Sequence, residues 1–307
     1  MKTFSLIALI LGSFIGAGFC SGREVASYFV SYGNSSYIMA ILFGVLFYIF
    51  LNIFLLCGEN GIHINTNAIC TFATIVMTSS MLAGAFNLGG AVLYFVTIAI
   101  AIIICYGGIS NVSKFSVVLV PIMLVIIIVT CIPSFRQITF NSSSIIHAIP
   151  STINYLFFNM LTMGLFLFSV GKNYTKKQIK IASIISTIII TFLIIIMCSS
   201  IINKGVCGTS MPILELAKNN RLLNVSIEVV VWLALLTTLI DSLHSLTDKS
   251  ATYSNNKLLC IVVILSICAC ISMLGFVWIV SHLYRVLGVL GIVYCIDVIC
   301  SYLKNKR

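Results

Sequence analysis

The groups best placed to do chemistry in this sequence belong to its backbone. Gly12, Gly16, Gly18 and Gly22 fall within eleven residues, inside the first apolar stretch, in the run Gly12-Ser13-Phe14-Ile15-Gly16-Ala17-Gly18-Phe19-Cys20-Ser21-Gly22-Arg23-Glu24. Glycine at that density weakens a helix. In hydrocarbon an unsatisfied backbone polar group costs several kcal/mol, so a break survives only where protein or a water-filled cavity surrounds it. A helix unwound between Gly12 and Gly18 frees amides at the start of its outer half, which attract a carboxylate, and carbonyls, which coordinate a cation. An amino-acid zwitterion suits both. Gly12, Ser13, Gly16, Ala17 and Gly18 are therefore the expected solute-binding segment.

Side chains offer a second set. Tyr155 and Asn159 stand at i and i+4, on one helix face, where they could close a site with an aromatic contact and an amide hydrogen bond; ordinary interhelical packing is the alternative. Asn154, Thr162 and Gly164 interrupt the same apolar run, so a second broken helix is expected there. Charges inside spans are few. An intramembrane charge costs about 2.5–3.5 kcal/mol at a helix centre, and Arg285, about 12 Å below the start of its span at about 1.5 Å per residue, is the one least easily placed at an interface.

Enzyme chemistry finds no foothold. The 12 cysteines lie almost entirely in apolar runs and read as small packing residues. His63, His147, His244 and His282 are scattered without ligand spacing, and no nucleophile motif, phosphate loop or zinc signature occurs. Neither an enzyme nor a resident cofactor is expected, apart from a coupling ion. The net charge of +10 does not signal nucleic acid, because the 20 Phe and 12 Tyr sit inside apolar runs instead of alternating with basic residues.

The elements that must hold these groups are membrane helices. Of 307 residues 60% are hydrophobic and 8% charged, against about 25% charged in soluble domains. Apolar stretches of spanning length fall near 4–30, 37–57, 66–86, 91–107, 112–132, 148–171, 178–202, 223–246, 257–274 and 277–302. Ten spans are expected. The third is rich in Ser and Thr and the fourth is short, which points to burial against other helices. Eleven of the 17 basic residues fall on the side of Lys2 and Lys304, four (Arg136, Lys204, Lys218 and Arg221) on the other, with Arg23 and Arg285 inside spans. This asymmetry places both termini in the cytoplasm. The most polar connection, Arg136 to Ser144, divides one transporter-like domain, 1–307, into two sets of five spans, 1–135 and 145–307. Two consecutive odd sets enter the membrane with opposite orientation, the condition for an inverted repeat.

Several segments carry a family resemblance. GSFIGAGFCSGREVASYF resembles the first-helix signature of the YkvI-like amino-acid permease family, and NYLFFNMLTMG its sixth-helix stretch; LALLTT, Leu233 to Thr238, and LYRVLGVLG, Leu283 to Gly291, are similar to its eighth and tenth helices. The resemblance implies an all-α polytopic protein with the five-plus-five leucine-transporter fold of the amino acid–polyamine–organocation superfamily, in which helices one and six unwind around substrate. It further implies a sodium site made by carbonyls near Gly12 and Ile15 with the hydroxyls of Thr237 and Thr238, although each threonine could instead bond its own helix. In such folds the outer halves of helices one and ten approach each other above the substrate. Glu24 and Arg285 carry opposite charges there and could pair as an outer gate; the alternative is that each reaches the interface separately. The function expected is a cation-coupled secondary transporter, driven by sodium or protons, of amino acids or similar small organic solutes in the cell membrane. A nutrient-sensing receptor without net transport, and a channel or structural membrane protein, are the alternatives.

Overall fold

The computed structural model describes residues 2–62, 64, 66–135, 145–209, 211–250 and 256–306. Among them every regular element is helical. His63, Arg307 and the expected connection between the halves, Arg136 to Ser144, lie outside the described residues.

The first apolar stretch forms three helices in series: α1 (Lys2–Phe14), α2 (Ala17–Cys20) and α3 (Arg23–Tyr28). Two glycines separate them. Gly16 is extended at φ −83° and ψ 179°, which ends the ladder of α1. Gly22 is left-handed at φ +78°, and a Cβ there would stand 2.8 Å from Ile213 Cγ1, so no other residue fits easily. The chain then runs through α4 (Ser36–Glu59), α5 (Asn67–Tyr106), α6 (Ile109–Cys131), α7 (Ile145–Gly171), α8 (Lys176–Lys204), α9 (Pro212–Ala217), α10 (Arg221–Ser250), α11 (Lys257–Ser272), α12 (Phe276–Trp278) and, after a π-helical turn at Ile279–Leu283, α13 (Tyr284–Lys306). Seven helices among the described residues are long and apolar enough to cross a membrane, and α1 and α11 are shorter apolar helices. The protein is a multi-pass membrane protein. On α6 the exposed residues Val118, Ile122, Val125 and Val129 recur at helical spacing along one outer face, as a lipid-facing stripe requires.

The expected third and fourth spans belong to α5, whose 40 residues would reach about 60 Å if straight, twice the hydrocarbon thickness of about 30 Å. The helix does not stay straight. Gly89 (φ −145°) and Gly90 (φ +62°) break it into two arms. The hydroxyls of the first arm are buried as expected, and they are satisfied locally: Thr74 donates to Cys70 O at 2.7 Å, Thr78 to Thr74 O at 2.7 Å and Ser79 to Ile75 O at 2.7 Å. The second arm, also expected to be buried, instead exposes Val92, Phe95 and Ile103 on its outer face.

The break expected in the sixth span is absent. Helix α7 is continuous from Ile145 to Gly171, because its polar side chains fold back on their own ladder: Asn159 Nδ2 donates to Tyr155 O at 2.8 Å, and Thr162 Oγ1 to Phe158 O at 3.0 Å. Gly164 makes room for a neighbour instead of a kink, since a Cβ there would meet Tyr294 Cε1 at 2.8 Å.

Helices α1, α7 and α10 form the interior. Around them, α6 and α8 pack on α1, α4 and α13 on α7, and α5 on α10. Where α4 crosses α7, Gly58 and Gly171 bring backbone against backbone: a Cβ on Gly58 would lie 2.5 Å from Phe168 O, and one on Gly171 would run into Leu55 O. Polar ties cluster at one end of the bundle, where Thr66 N and Oγ1 donate to Asp297 Oδ2 at 2.9 Å each, Ser169 Oγ donates to Asp248 Oδ2 at 2.6 Å and Lys257 Nζ to Tyr106 O at 3.0 Å. At the opposite end Ser151 Oγ donates to Tyr28 O at 3.1 Å and Asn203 Nδ2 to Ser134 O at 2.9 Å.

Candidate functional site

At the end of α1 the amide of Gly16 donates to Phe14 O at 2.9 Å. In an uninterrupted helix its acceptor would be the carbonyl of Gly12, four residues back, so the turn releases that carbonyl from the ladder. Four residues later the ladder resumes, with Cys20 N donating to Gly16 O at 2.9 Å and Ser21 N to Ala17 O at 2.9 Å. Its second stop, at Gly22, is covered by α9, whose Ile213 amide donates to Ser21 O at 3.0 Å. The glycine run thus produces two interruptions, one at Ile15–Gly16 and one at Ser21–Gly22. The α-carbon of Gly12 faces α6, where a Cβ would touch Val120 Cγ2 at 3.3 Å and Ser116 Oγ at 3.6 Å.

Gly18 lies against the carboxyl group of Glu24, so closely that a Cβ would collide with it. Glu24 is buried, and its Oε2 accepts a hydrogen bond from Tyr155 OH at 2.8 Å. The phenol ring is gripped by Phe43 at 5.4 Å, Phe29 at 5.6 Å and Tyr28 at 4.8 Å between ring centroids. Of the expected pair on α7, then, Tyr155 reaches across to the first span while Asn159 spends its amide on the carbonyl of Tyr155. Tyr284, from the start of α13, stacks on Phe158 at 4.4 Å and shares a hydrogen bond of 2.8 Å with Ser80 Oγ of α5.

Above this layer opens a vestibule of about 470 Å³ whose walls include Arg23, Glu24, His147, Asn154 and Arg285. Glu24 and Arg285 both face it, yet no ion pair joins them among the described residues: Glu24 is held by Tyr155, and Arg285 is exposed. The basic groups of the wall outnumber Glu24, its single acidic group, so the field in the vestibule favours an anion or the carboxylate of a zwitterion.

Below the break, a cavity of about 10 Å³ lies between Ser13, Met77, Thr162, Thr238 and Ser242. This is close to the smallest space that holds one water-sized particle. Thr238 Oγ1 is buried with no hydrogen-bond partner, and stands 3.4 Å from where a Cβ on Gly16 would be. Its neighbour Thr237 behaves differently, donating to Ala234 O of its own helix at 3.1 Å. Adjacent residues point about 100° apart on a helix at 3.6 residues per turn, so only one of the two can face the break. Ser242 is also committed, since its Oγ donates to Thr238 O at 2.8 Å and lies 2.9 Å from Thr78 Oγ1. Of the expected cation ligands, Thr238 thus offers an unpartnered hydroxyl beside the break and Thr237 does not.

Two buried ionisable side chains complete the inventory. Asp241 is 1% exposed and both of its carboxylate oxygens lack a hydrogen bond; His244 is 2% exposed and so do both of its ring nitrogens. A search for metal-ligand spacing passes over them. The signal that finds them is simpler: an aspartate and a histidine inside an otherwise apolar, membrane-length run. Among the described residues no group of three or more His, Cys, Asp or Glu is arranged to hold a metal ion.

No protein-family profile and no curated protein matches the chain. Its structure is similar to that of a Na+-coupled sialic acid symporter, solved in a substrate-bound outward-open state with a novel Na+ site: the TM-score is 0.59 at 13% sequence identity, over 94% of this chain and 75% of that one. At that identity the likeness carries the fold alone.

Proposed function

We propose that the chain is a cation-coupled secondary transporter of amino acids or similar small carboxylate-bearing solutes, working by alternating access in the cell membrane with both termini in the cytoplasm. One observation carries this reading. The first membrane segment is broken at Ile15–Gly16 beside the buried, unpartnered hydroxyl of Thr238, and a break of that kind within hydrocarbon is the feature that transporters use to build a site at mid-depth.

In this reading the ten expected spans are the α1–α3 series, α4, the two arms of α5, α6, α7, α8, α10, α11 and the α12–α13 series, arranged as inverted repeats over 1–135 and 145–307. Solute enters through the vestibule, where Arg23, His147 and Arg285 attract its carboxylate. Its deeper contacts are the backbone of Gly12 to Gly18, with Ser13 and Ala17, and the Tyr155 and Asn159 face of α7. The Thr238 hydroxyl with the Gly12 and Ile15 carbonyls suits sodium, which when bound would tie solute occupancy to the ion gradient. The neighbouring symporter is coupled to Na+ and its solute is an acid, which supports the ion and the carboxylate; the family resemblance of GSFIGAGFCSGREVASYF supports an amino acid.

The test uses purified protein in nanodiscs, screened by thermal denaturation against the amino acids and sialic acid, in sodium chloride and in choline chloride. A ligand that binds only the folded state raises apparent stability. The expected result is stabilisation by one carboxylate solute that increases with sodium. Stabilisation without gradient-driven accumulation in proteoliposomes would favour a receptor, and no stabilisation by any of these solutes in either salt would refute the solute class.

A further inference from the structure

The face of α10 that bears Asp241 also bears His244 and Asp248, at i, i+3 and i+7, so that three ionisable side chains follow one another along one helix stripe. Their exposure rises in that order. Asp241 and His244 are buried, whereas the Asp248 side chain is 49% exposed at the end of the bundle marked by Lys257 and Asp297. His244 Nε2 stands 3.8 Å from Asp248 Oδ2, and Ser169 Oγ of α7 donates to that same oxygen at 2.6 Å. Neither Asp241 nor His244 lines the small cavity at Thr238.

Other groups around the stripe do not neutralise Asp241. Cys105 of α5 is its titratable neighbour, and that thiol is occupied in donating to Ile240 O at 3.4 Å. Lys257 of α11 acts on His244 and on Cys105, but its Nζ is taken by Tyr106 O. Of the other helices packed on α10, the charged or titratable residues are Lys114 and Cys131 on α6, Lys2 on α1, Cys20 on α2, Glu215 on α9 and His147 with Tyr155 on α7, and none of them bonds either carboxylate oxygen of Asp241. A carboxylate left ionised in such a place costs several kcal/mol. A metal ion is a poor remedy, because no third acidic, histidine or cysteine ligand joins the pair among the described residues. A proton needs none.

We propose that Asp241 binds a proton within the membrane and that His244, one turn along the same stripe and not in contact with it here, relays that proton through Asp248 to the Lys257 end of the bundle. Loaded, the proton sits on a carboxylate oxygen of Asp241. Release requires the two side chains to rotate into contact, whereupon the proton passes to one ring nitrogen of His244 and leaves an aspartate and an imidazolium. Closing the 3.8 Å gap to Asp248 lets the imidazolium give up the proton on its other nitrogen, and Asp248 gives it to water. After release Asp241 is ionised and His244 neutral; taking up one proton from water by the reverse path restores the loaded state, so one proton is bound for each one released. Because the pair is defined by α10 alone, it does not depend on the chain being a transporter. In a transport cycle it would add a proton to the coupled ions.

Infrared spectroscopy of the full chain in nanodiscs reads this directly, with no solute needed. Between about pH 5 and 8, the range in which histidine ordinarily titrates, the parent protein should show a protonated-carboxyl C=O band that shifts in D2O. The band should be lost in Asp241→Asn and kept in Glu24→Gln. Should Asp241→Asn fail to fold, the parent protein grown with carboxyl-13C aspartate serves instead: the band must move with the label. Of the chain's aspartates, Asp248 is half-exposed and Asp297 already accepts two hydrogen bonds from Thr66, so the labelled band reports Asp241. Hydrogen–deuterium exchange of that band should slow in His244→Gln and in Asp248→Asn. A band insensitive to aspartate label, or exchange as fast in both variants as in the parent, overturns the proposal; neither result bears on solute binding or on sodium.

Discussion

Tyr155 and Glu24, 131 residues apart in sequence, meet in a buried hydrogen bond of 2.8 Å that ties the middle of α7 to the first turn of α3. The bond bridges the piece of the first span that lies beyond both breaks. It also fixes the carboxyl group against Gly18, at the floor of the vestibule. Tyr155→Phe keeps the ring in its aromatic cage and removes only the donor, so it should cost about 1–3 kcal/mol, the penalty for leaving a buried acceptor unsatisfied. Thermal or denaturant unfolding in nanodiscs measures it. The Glu24→Gln, Tyr155→Phe double mutant should lose clearly less than the two single losses added together; strict additivity would show that the bond contributes nothing of its own.

Gly16 and Gly18 should fail differently when enlarged. A leucine at Gly16 projects toward Thr238 Oγ1 and Met77, so Gly16→Leu should abolish sodium-dependent stabilisation while the protein still inserts into membranes. Gly18→Leu displaces the Glu24 carboxyl instead, and should weaken solute binding. Retention of both sodium response and solute affinity in the two variants would remove this segment from the site.

The two threonines of α10 make a sharper comparison. Thr238→Val keeps the shape of the side chain and removes the unpartnered hydroxyl beside the break. Sodium chloride should then protect the variant against heat no better than choline chloride. Thr237→Val removes a hydroxyl already spent on Ala234 O and should leave the sodium response intact. The reverse pattern would place the cation on the other face of the helix.

Glu24 and Arg285 face one vestibule without touching, which suits a gate whose partners meet only on closure. Glu24→Gln and Arg285→Gln should each slow solute uptake into proteoliposomes, and the double mutant should lose clearly less than the two single losses combined. A cysteine placed at Arg285 should be modified by a water-soluble thiol reagent in the free protein and protected once solute binds. Additive losses together with unchanged labelling would separate the two residues.

The break in the first span is legible in the sequence because glycine density is a local signal, and the left-handed φ of Gly22 and the extended backbone at Gly16 need no tertiary contact to be anticipated. The bend of α5 is legible too, as the gap between two apolar runs that closes on Gly89 and Gly90. What escapes is rotation about helix axes. Thr237 and Thr238 are equivalent in sequence, and only the packing of α10 against α5 and α1 decides which one faces the break. The polar residues of α7 mislead for a related reason: Asn159 and Thr162 suggest an unwound segment, yet the i−4 carbonyls of an intact helix satisfy them. Asp241 and His244 are visible as ionisable residues in an apolar run, but their lack of hydrogen bonds is a property of the surroundings.

The close crossing of α4 and α7 has a mechanical consequence. Where Gly58 and Gly171 let main chain rest on main chain, there is no cushion of side chains to repack, and one helix cannot slide along the other without parting. In the proposed alternating-access cycle, a rearrangement that opens one end of the bundle and shuts the other would carry α4 and α7 as a single lever. The change in angle would then be absorbed where the backbone is already bent, at Ile15–Gly16, Gly22 and Gly89–Gly90, with those glycines as the joints of the proposed cycle and the paired helices as its frame.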